Sequence, residues 1–188
     1  MKLSSERILT THVGSLPRPD DLLEMLRKED RGEPVDTVAL HARTAEAVKQ
    51  LVKDQVEAGI DVVSDGEMSK MAYNVYAKHR LTGLGATDGT GVPGRKLPRD
   101  IQDFPEMTSA PLGGGGPELL QATVCNGPVA YADHAPLDRD IANLKSATAA
   151  TGPHDVFMNS VSPGCLANYV PNAFYPSRAH YRENLINP

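Results

Sequence analysis

An amphipathic helix pattern leads directly into a buried-strand pattern between residues 36 and 64. In the helical part, Ala and Val residues recur at spacings of three and four, which places one apolar stripe along a helix. Asp36 is placed to cap the start of this helix, and Gly59 follows its end, where a positive φ is needed. The sequence therefore predicts a helix from Asp36 to about Ala58, followed at once by a strand at Ile60–Ser64.

The same alternation of strand and helix runs along most of the chain. Apolar runs that end in glycine and polar residues predict strands at 8–11, 60–64, 119–125 and 155–159. Helices are predicted at 22–28, 36–58 and 138–150, and no long element is predicted from 165 to 188. This order is typical of right-handed βαβ units. The predicted fold class is therefore α/β, with parallel strands in βα units.

The length of the chain limits how much of such a fold it can contain. A closed (β/α)₈ barrel needs roughly 250 residues, whereas this chain has 188. From about 68 to 120 the periodicity fails, and the segment is rich in Gly and Pro. Structureless connections of that length are usually functional or mobile. We therefore expect a single partial domain over residues 1–188, with a loop-rich excursion at about 68–120.

Charge and composition exclude several classes of partner. A net charge of -5 and a pI near 5.6 argue against nucleic acid or an anionic membrane surface. No apolar run has the length of about 18 residues that a membrane-spanning helix needs. Met1–Arg7 lacks the apolar segment of a secretory signal, and the two Cys do not make a disulfide framework. We therefore expect a cytoplasmic protein.

Each predicted strand leads into glycine with polar residues. These strand-end segments are His12–Ser15, Asp65–Glu67, Asn126–Pro128 and Ser162–Gly164. In parallel α/β folds, ligands bind beyond the carboxyl ends of the strands. We therefore expect five polar residues to lie within reach of one ligand: His12, Ser15, Asp65, Glu67 and Asn126.

Three of these strand ends resemble a known family. The segments Thr10–Pro19, Glu57–Met68 and Thr123–Val129, in this order and spacing, are similar to the catalytic barrel of cobalamin-independent methionine synthase. The short relatives of that family include the epoxyalkane:coenzyme M transferases. The family fold is a (β/α)₈ barrel. The resemblance therefore implies that this chain is the first half of a TIM-type barrel.

The resemblance also implies zinc-dependent methyl or alkyl transfer to a thiol. In the family, zinc holds the acceptor as a thiolate, the nucleophilic form, which attacks an alkyl carbon. The acceptor of methionine synthases is homocysteine, which becomes methionine, and the methyl donor is a 5-methyl-folate. Val13, Gly14 and Ser15 would then hold the amino-acid end of the acceptor, and Glu67 would pair with its ammonium group. Charge-assisted hydrogen bonds of this kind suit both ends of an amino acid.

Four further residues are candidates for the catalytic or donor side of the site. By the resemblance, Asn126 and Gly127 would approach the alkyl donor. His12 either contacts the substrate or is a hydrogen-bonded packing residue. Asp65 is expected to brace its turn rather than to react.

Two features depart from the family pattern. The family's zinc ligands lie in the second half of its barrel, and no His-x-Cys, Cys-x-x-Cys or His-x-x-x-His spacing occurs here. We therefore expect the metal ligands beyond Pro188, and either a missing second half or self-association as the partner. The chain also contains no Trp on which a pterin could stack, and Tyr131 and His134 follow the third strand end instead. The absence of Trp argues against a folate as the methyl donor more strongly than it argues against thiol alkylation in general.

Three functions stay open at this point. The first is methyl transfer to homocysteine, and the second is the opening of an epoxide by the thiol of coenzyme M. Glu67 favours the first, because a sulfonate has no use for a carboxylate partner. The third is a catalytically inactive half-barrel that acts as a binding module, which the missing zinc ligands favour.

Overall fold

The computed structural model describes residues 3–86, 99–104 and 123–188. The chain divides into two compact units. Unit 1 comprises Met1–Met71 and His134–Ser160, and unit 2 comprises Ala72–Asp133 and Val161–Pro188. Each unit has its own apolar core. The single partial-barrel domain stays a prediction.

The described elements follow one another in a mixed order of helices and short strands. In chain order they are α1 (Asp20–Asp30), α2 (Thr37–Glu57), β1 (Val62–Val63), α3 (Tyr73–Lys78), β2 (Leu84–Ala86), α4 (Arg99–Asp103), β3 (Thr123–Cys125), α5 (Ala135–Thr151), β4 (Asp155–Val156), α6 (Pro163–Tyr169) and α7 (Arg178–Ile186). Among the described helices, none is long and apolar enough to cross a membrane.

The helix predicted from Asp36 is confirmed as α2. The Asp36 carboxylate accepts hydrogen bonds from the backbone N–H groups of Val38 and Ala39, each at 3.0 Å, which caps the helix start. Gly59 follows the helix with a φ of +81°. The buried side of α2 packs against α1 and α5 in the core of unit 1. The helices predicted at 22–28 and 138–150 are also confirmed, and both are longer than predicted.

Unit 1 contains a short parallel sheet. β1 pairs with β4 in parallel, with Val62 opposite Asp155, and Thr11 forms a further parallel bridge to Val62. The parallel arrangement predicted for these three segments is therefore confirmed. The segment 8–11 forms only that bridge, because the backbone N–H of Thr10 is taken by the Asp61 side chain at 2.8 Å.

Unit 2 departs from the predicted parallel sheet. β3, predicted as part of a parallel strand at 119–125, pairs antiparallel with β2, and Leu84 lies opposite Cys125. Residues 119–122 lie outside the described part of the chain. The sequence does not reveal this antiparallel pairing because β2 and β3 have only three residues each, too few for a periodic pattern to indicate a partner strand.

Two segments predicted to lack regular structure contain short elements. The excursion at about 68–120 holds α3, β2 and α4 within its described part. The segment 165–188 holds most of α6 and all of α7, which corrects the prediction of no long element there. α7 buries Tyr181 and Leu185, and the Ser177 hydroxyl accepts from the His180 N–H. Only two buried positions in nine residues give a weak helical signal.

The Arg7–Asp61 contact should make unit 1 sensitive to acid. Asp61 accepts hydrogen bonds from Arg7 and from the backbone N–H and hydroxyl of Thr10. Arg7 first, and Thr10 second, hold the pKa of Asp61 well below its ordinary value of about 4. Because the folded-state pKa is lowered, this contribution is complete above pH about 4 and is lost as the pH falls further.

The replacement Asp61→Asn is therefore expected to lower the melting temperature at pH 7 modestly, with a smaller difference at pH 3. Circular dichroism during thermal unfolding at both pH values measures this. Asp54→Asn is the control, because Asp54 lies exposed on α2. A difference between Asp61→Asn and the unchanged chain that is as large at pH 3 as at pH 7 would contradict the assignment.

Candidate functional site

The first two predicted strand ends meet in unit 1. The Ser15 hydroxyl donates a hydrogen bond to Oε2 of Glu67 at 2.5 Å. The backbone N–H of Leu16 donates to the carbonyl of Gly66 at 3.0 Å, which ties the two segments together. The Glu67 side chain is buried, with 4% of its residue surface exposed, whereas Ser15 is exposed. A carboxylate thus lies beside an accessible hydroxyl at the ends of neighbouring parallel segments.

Glu67 adopts a backbone conformation that is uncommon for a residue with a side chain. Its φ is +57°, directly after Gly66 at +54°. Such a conformation costs on the order of 1 kcal/mol or more and persists only where its surroundings enforce it. Here the Asp65 carboxylate accepts from the Glu67 N–H at 3.1 Å, and the Ser64 hydroxyl accepts from the Gly66 N–H at 3.3 Å. The buried turn therefore fixes the direction in which the Glu67 carboxylate points.

Asn159 is the residue of this cluster that the sequence patterns missed. It lies three residues after β4, and its side-chain Nδ2 donates to Oε1 of Glu67. The available signal was its place at the end of the predicted strand 155–159. The sequence predicts Ser162–Gly164 as the strand end instead, but Ser162 caps α6 in unit 2, where its hydroxyl accepts from the Cys165 N–H at 3.1 Å.

Two cationic side chains brace the turn that carries Glu67. Arg18 donates to the backbone carbonyls of Glu67, at 2.8 Å, and of Lys70. The Lys70 ammonium lies 3.2 Å from Oδ2 of Asp65, and both of these side chains are buried. Burial lowers the pKa of Arg18, and the negative charges of Glu67 and Asp65 oppose that shift. Asp65 is thus engaged with the backbone and with Lys70.

The remaining predicted residues lie in two places. His12, Val13 and Gly14 precede Ser15 in unit 1, where Val13 is 67% exposed and Gly14 has a φ of +101°. The Nε2 atom of His12 is buried and has no hydrogen-bond partner among the described residues. Asn126 and Gly127 lie in unit 2, directly after β3. The structure thus brings Ser15, Glu67 and Asp65 together in unit 1.

The described residues do not offer a zinc site. Within residues 3–86, 99–104 and 123–188, no group of three or more His, Cys, Asp or Glu side chains could hold a metal ion. Cys125 is buried beside the Gly127 carbonyl, and burial raises the pKa of its thiol. A protonated, buried thiol is a poor metal ligand. The described residues therefore do not fit the zinc ion that the family implies.

Comparison with known proteins gives matches to part of the chain. Residues 8–93 match the family described as the catalytic domain of cobalamin-independent synthases. A methionine synthase of Sulfolobus acidocaldarius is 40% identical over 75 residues, and one of Saccharolobus islandicus is 35% identical over the same length. Each of these matches covers 40% of this chain and 22% of the relative.

A solved structure is similar over a longer part of the chain. A B12-independent methionine synthase from Shewanella sp. W3-18-1, in complex with selenomethionine, aligns with a TM-score of 0.63 and 21% identity. The alignment covers 93% of this chain and 44% of that chain. At this identity the likeness shows the fold alone.

The first two strand-end motifs lie inside the matched segment 8–93, and the third, Thr123–Val129, lies outside it. The chain spans about a fifth of the length of the curated relatives that it matches. The resemblance predicted from the sequence is confirmed, since the matching family and both relatives are the expected ones. Residues 8–93 are related to the catalytic domain of the cobalamin-independent methionine synthases.

Proposed function

We propose that unit 1 binds the amino-acid thiol of a methyltransferase reaction, and that this thiol is homocysteine. Glu67 binds the ammonium group of the substrate, and the Val13–Ser15 segment binds the carboxylate group of the substrate. The methionine synthase from Shewanella, which shares the fold, was solved with selenomethionine, an analogue of the expected product. This supports an amino-acid ligand for the proposed site.

The observation that carries the proposal is the way in which Glu67 is held. Each of its carboxylate oxygens accepts one hydrogen bond, from the Ser15 hydroxyl and from the Asn159 amide. Both of these side-chain donors are neutral, and the nearby Arg18 guanidinium donates to the Glu67 backbone carbonyl rather than to its carboxylate. A carboxylate has about four acceptor positions, and its burial is unfavourable unless a charged partner compensates. An ammonium group supplies further donors and a positive charge in direct contact with the carboxylate oxygens.

The hydrogen bond of Ser15 assigns the hydroxyl to the ammonium end of the substrate. A hydroxyl has a single proton, and Ser15 donates it to Glu67. Its oxygen can therefore accept a hydrogen bond from a substrate ammonium but has no further proton for a substrate carboxylate. The substrate carboxylate would instead receive backbone N–H groups of the Val13–Ser15 segment, where Gly14 has a φ of +101°.

In this proposal, the chain binds the thiol acceptor but does not by itself carry out the methyl transfer. Because the described residues do not form a zinc site, the zinc ligands would lie outside the described part of the chain. Asn126 and Gly127 are proposed for the side of the methyl donor, which in the methionine synthases is a 5-methyl-folate. His12 is proposed as a substrate contact, since its buried Nε2 has no partner among the described residues.

A binding titration separates this function from its alternatives. We expect isothermal titration calorimetry of the chain to show L-homocysteine binding at least about 10-fold more tightly than coenzyme M, because a sulfonate repels Glu67 whereas an ammonium pairs with it. Tighter binding of coenzyme M would favour the epoxide-opening alternative. Binding of neither compound would overturn the proposal and leave the inactive binding module.

A further inference from the structure

We propose that Arg18 is a positioning residue that restricts this site to α-amino acids. Arg18 does so by fixing the distance between the Val13–Ser15 segment, where the substrate carboxylate binds, and the Glu67 carboxylate, where the substrate ammonium group binds. The inference rests on the proposed function, since it concerns the same site. It goes beyond that function because it gives a role to Arg18, which the strand-end motifs leave without one, and because it excludes β-amino acids as substrates.

The Arg18 side chain spans the turn that carries Glu67. Its Nη2 atom donates to the backbone carbonyl of Glu67, at 2.8 Å, and to that of Lys70. The Glu67 carbonyl also accepts from the Lys70 N–H at 3.0 Å, so the two carbonyls lie at the start and the end of one turn. A single hydrogen bond lets two segments pivot about it, whereas a planar guanidinium bonded to both ends of a turn fixes the orientation of that turn. Arg18 therefore controls where the Glu67 carboxylate points.

A stiff stretch of backbone connects Arg18 to the segment proposed to bind the substrate carboxylate. Arg18 lies between Pro17 and Pro19. Each proline fixes its own φ and restricts the residue before it to extended conformations, which leaves few conformations between Ser15 and Arg18. The contact of Arg18 with the turn therefore sets the distance from Ser15 to Glu67 as well as the orientation of Glu67.

The hydrogen bonding of Arg18 indicates a functional role rather than a contribution to stability. Its Nε atom is buried and has no hydrogen-bond partner among the described residues. Burial also lowers the pKa of Arg18, although the negative charges of Glu67 and Asp65 oppose that shift. A buried donor without an acceptor is unfavourable, and positions that keep such a cost are typical of functional sites. The position is thus better explained by what Arg18 does for Glu67.

The spacing that Arg18 maintains matches an α-amino acid. The Ser15 hydroxyl donates to Oε2 of Glu67 at 2.5 Å, so the segment that ends at Ser15 lies directly beside the Glu67 carboxylate. In an α-amino acid one carbon atom separates the nitrogen from the carboxylate, and in a β-amino acid two carbon atoms separate them. A site with a fixed, short spacing binds both charged ends of the first, whereas the second loses a hydrogen bond at one end.

The experiment compares three probes that differ only at the amino group. They are L-methionine, L-β-homomethionine, in which a further CH₂ separates the amino and carboxylate groups, and 4-(methylthio)butanoate, which lacks the amino group. Calorimetry measures their affinities for the unchanged chain, Arg18→Met and Arg18→Lys. Arg43→Met is the matched control, because the Arg43 guanidinium bonds to the Asp21 carboxylate in the same unit and should leave all three affinities unchanged.

We expect the unchanged chain to bind L-methionine at least about 10-fold more tightly than L-β-homomethionine, and Arg18→Met to bind the two within about threefold of each other. Arg18→Lys keeps the charge but lacks the planar fork, so its preference should be intermediate. If Arg18→Met does not fold, Arg18→Lys carries the test. A purely structural role of Arg18 would weaken the binding of both amino acids alike. An undiminished preference in the variant that folds overturns the inference, as does an unchanged chain without this preference.

The third probe identifies which idea has failed. If the unchanged chain binds L-methionine and 4-(methylthio)butanoate equally well, the ammonium site itself is wrong, and the proposed function falls with the inference. If the unchanged chain prefers L-methionine to 4-(methylthio)butanoate while the Arg18 variants keep the full preference for L-methionine over L-β-homomethionine, the proposed function stands and only the role of Arg18 is refuted.

Discussion

Replacing Glu67 by glutamine is expected to weaken the binding of L-homocysteine by about 10- to 100-fold, the usual effect of losing hydrogen bonds to a charged group. The side chain keeps its size and one acceptor oxygen but loses its charge. Its amide would also present a donor toward either Ser15 or Asn159, and both of these now donate to Glu67. Calorimetric titration of Glu67→Gln with L-homocysteine measures the loss.

Glu57→Gln is the matched control for this experiment. Glu57 is an exposed carboxylate at the end of α2, where it pairs with Lys53. Its replacement changes the net charge by the same amount and should leave the affinity for L-homocysteine unchanged. An affinity of Glu67→Gln within about twofold of the unchanged chain would show that the carboxylate does not bind the ammonium group.

Replacing Gly83 by alanine is expected to destabilise unit 2 by about 3 kcal/mol or more. Gly83 has a φ of +72°, and a Cβ atom there would lie closer than 3.0 Å to the backbone carbonyl oxygens of Gly127 and Pro128. These are backbone atoms, which cannot rotate away as a side chain can. The Asn126 N–H donates to the Gly83 carbonyl at 2.9 Å, so any shift would also disturb the start of the β2–β3 pairing.

The measurement is urea unfolding followed by tyrosine fluorescence. All 6 Tyr residues lie in unit 2, and the chain has no Trp, so this signal reports on unit 2. Gly164→Ala is the control: nothing lies within 4 Å of the position of its Cβ, and it is in helix α6. We expect its midpoint to stay near that of the unchanged chain. Equal midpoints for the Gly83→Ala and Gly164→Ala variants would contradict the close approach of these backbones.

Features that depend on local chemistry could be predicted from the sequence. The helix α2 is long enough for its apolar period to be clear, and Asp36 and Gly59 mark its ends by capping and by positive φ. The proximity of Ser15 and Glu67 followed from a general rule, namely that parallel strands bring their carboxyl ends to one edge. That rule needs only the order of the strands, which the sequence pattern shows.

Features that depend on contacts between distant segments could not be predicted in the same way. β2 and β3 are too short to show an alternation of apolar and polar residues, so the sequence does not indicate their antiparallel pairing. Asn159 was missed for a related reason. Its role comes from a contact with a residue 92 positions away, whereas the nearby Ser-Pro-Gly segment had the more conspicuous composition.

A crystal structure of the chain with L-selenomethionine tests the ammonium site most directly, because selenium locates the ligand by anomalous scattering. We expect the ligand nitrogen to lie about 3 Å from a Glu67 carboxylate oxygen and within hydrogen-bond distance of Ser15 Oγ. A ligand bound elsewhere, or bound here with its carboxylate rather than its nitrogen toward Glu67, would contradict it.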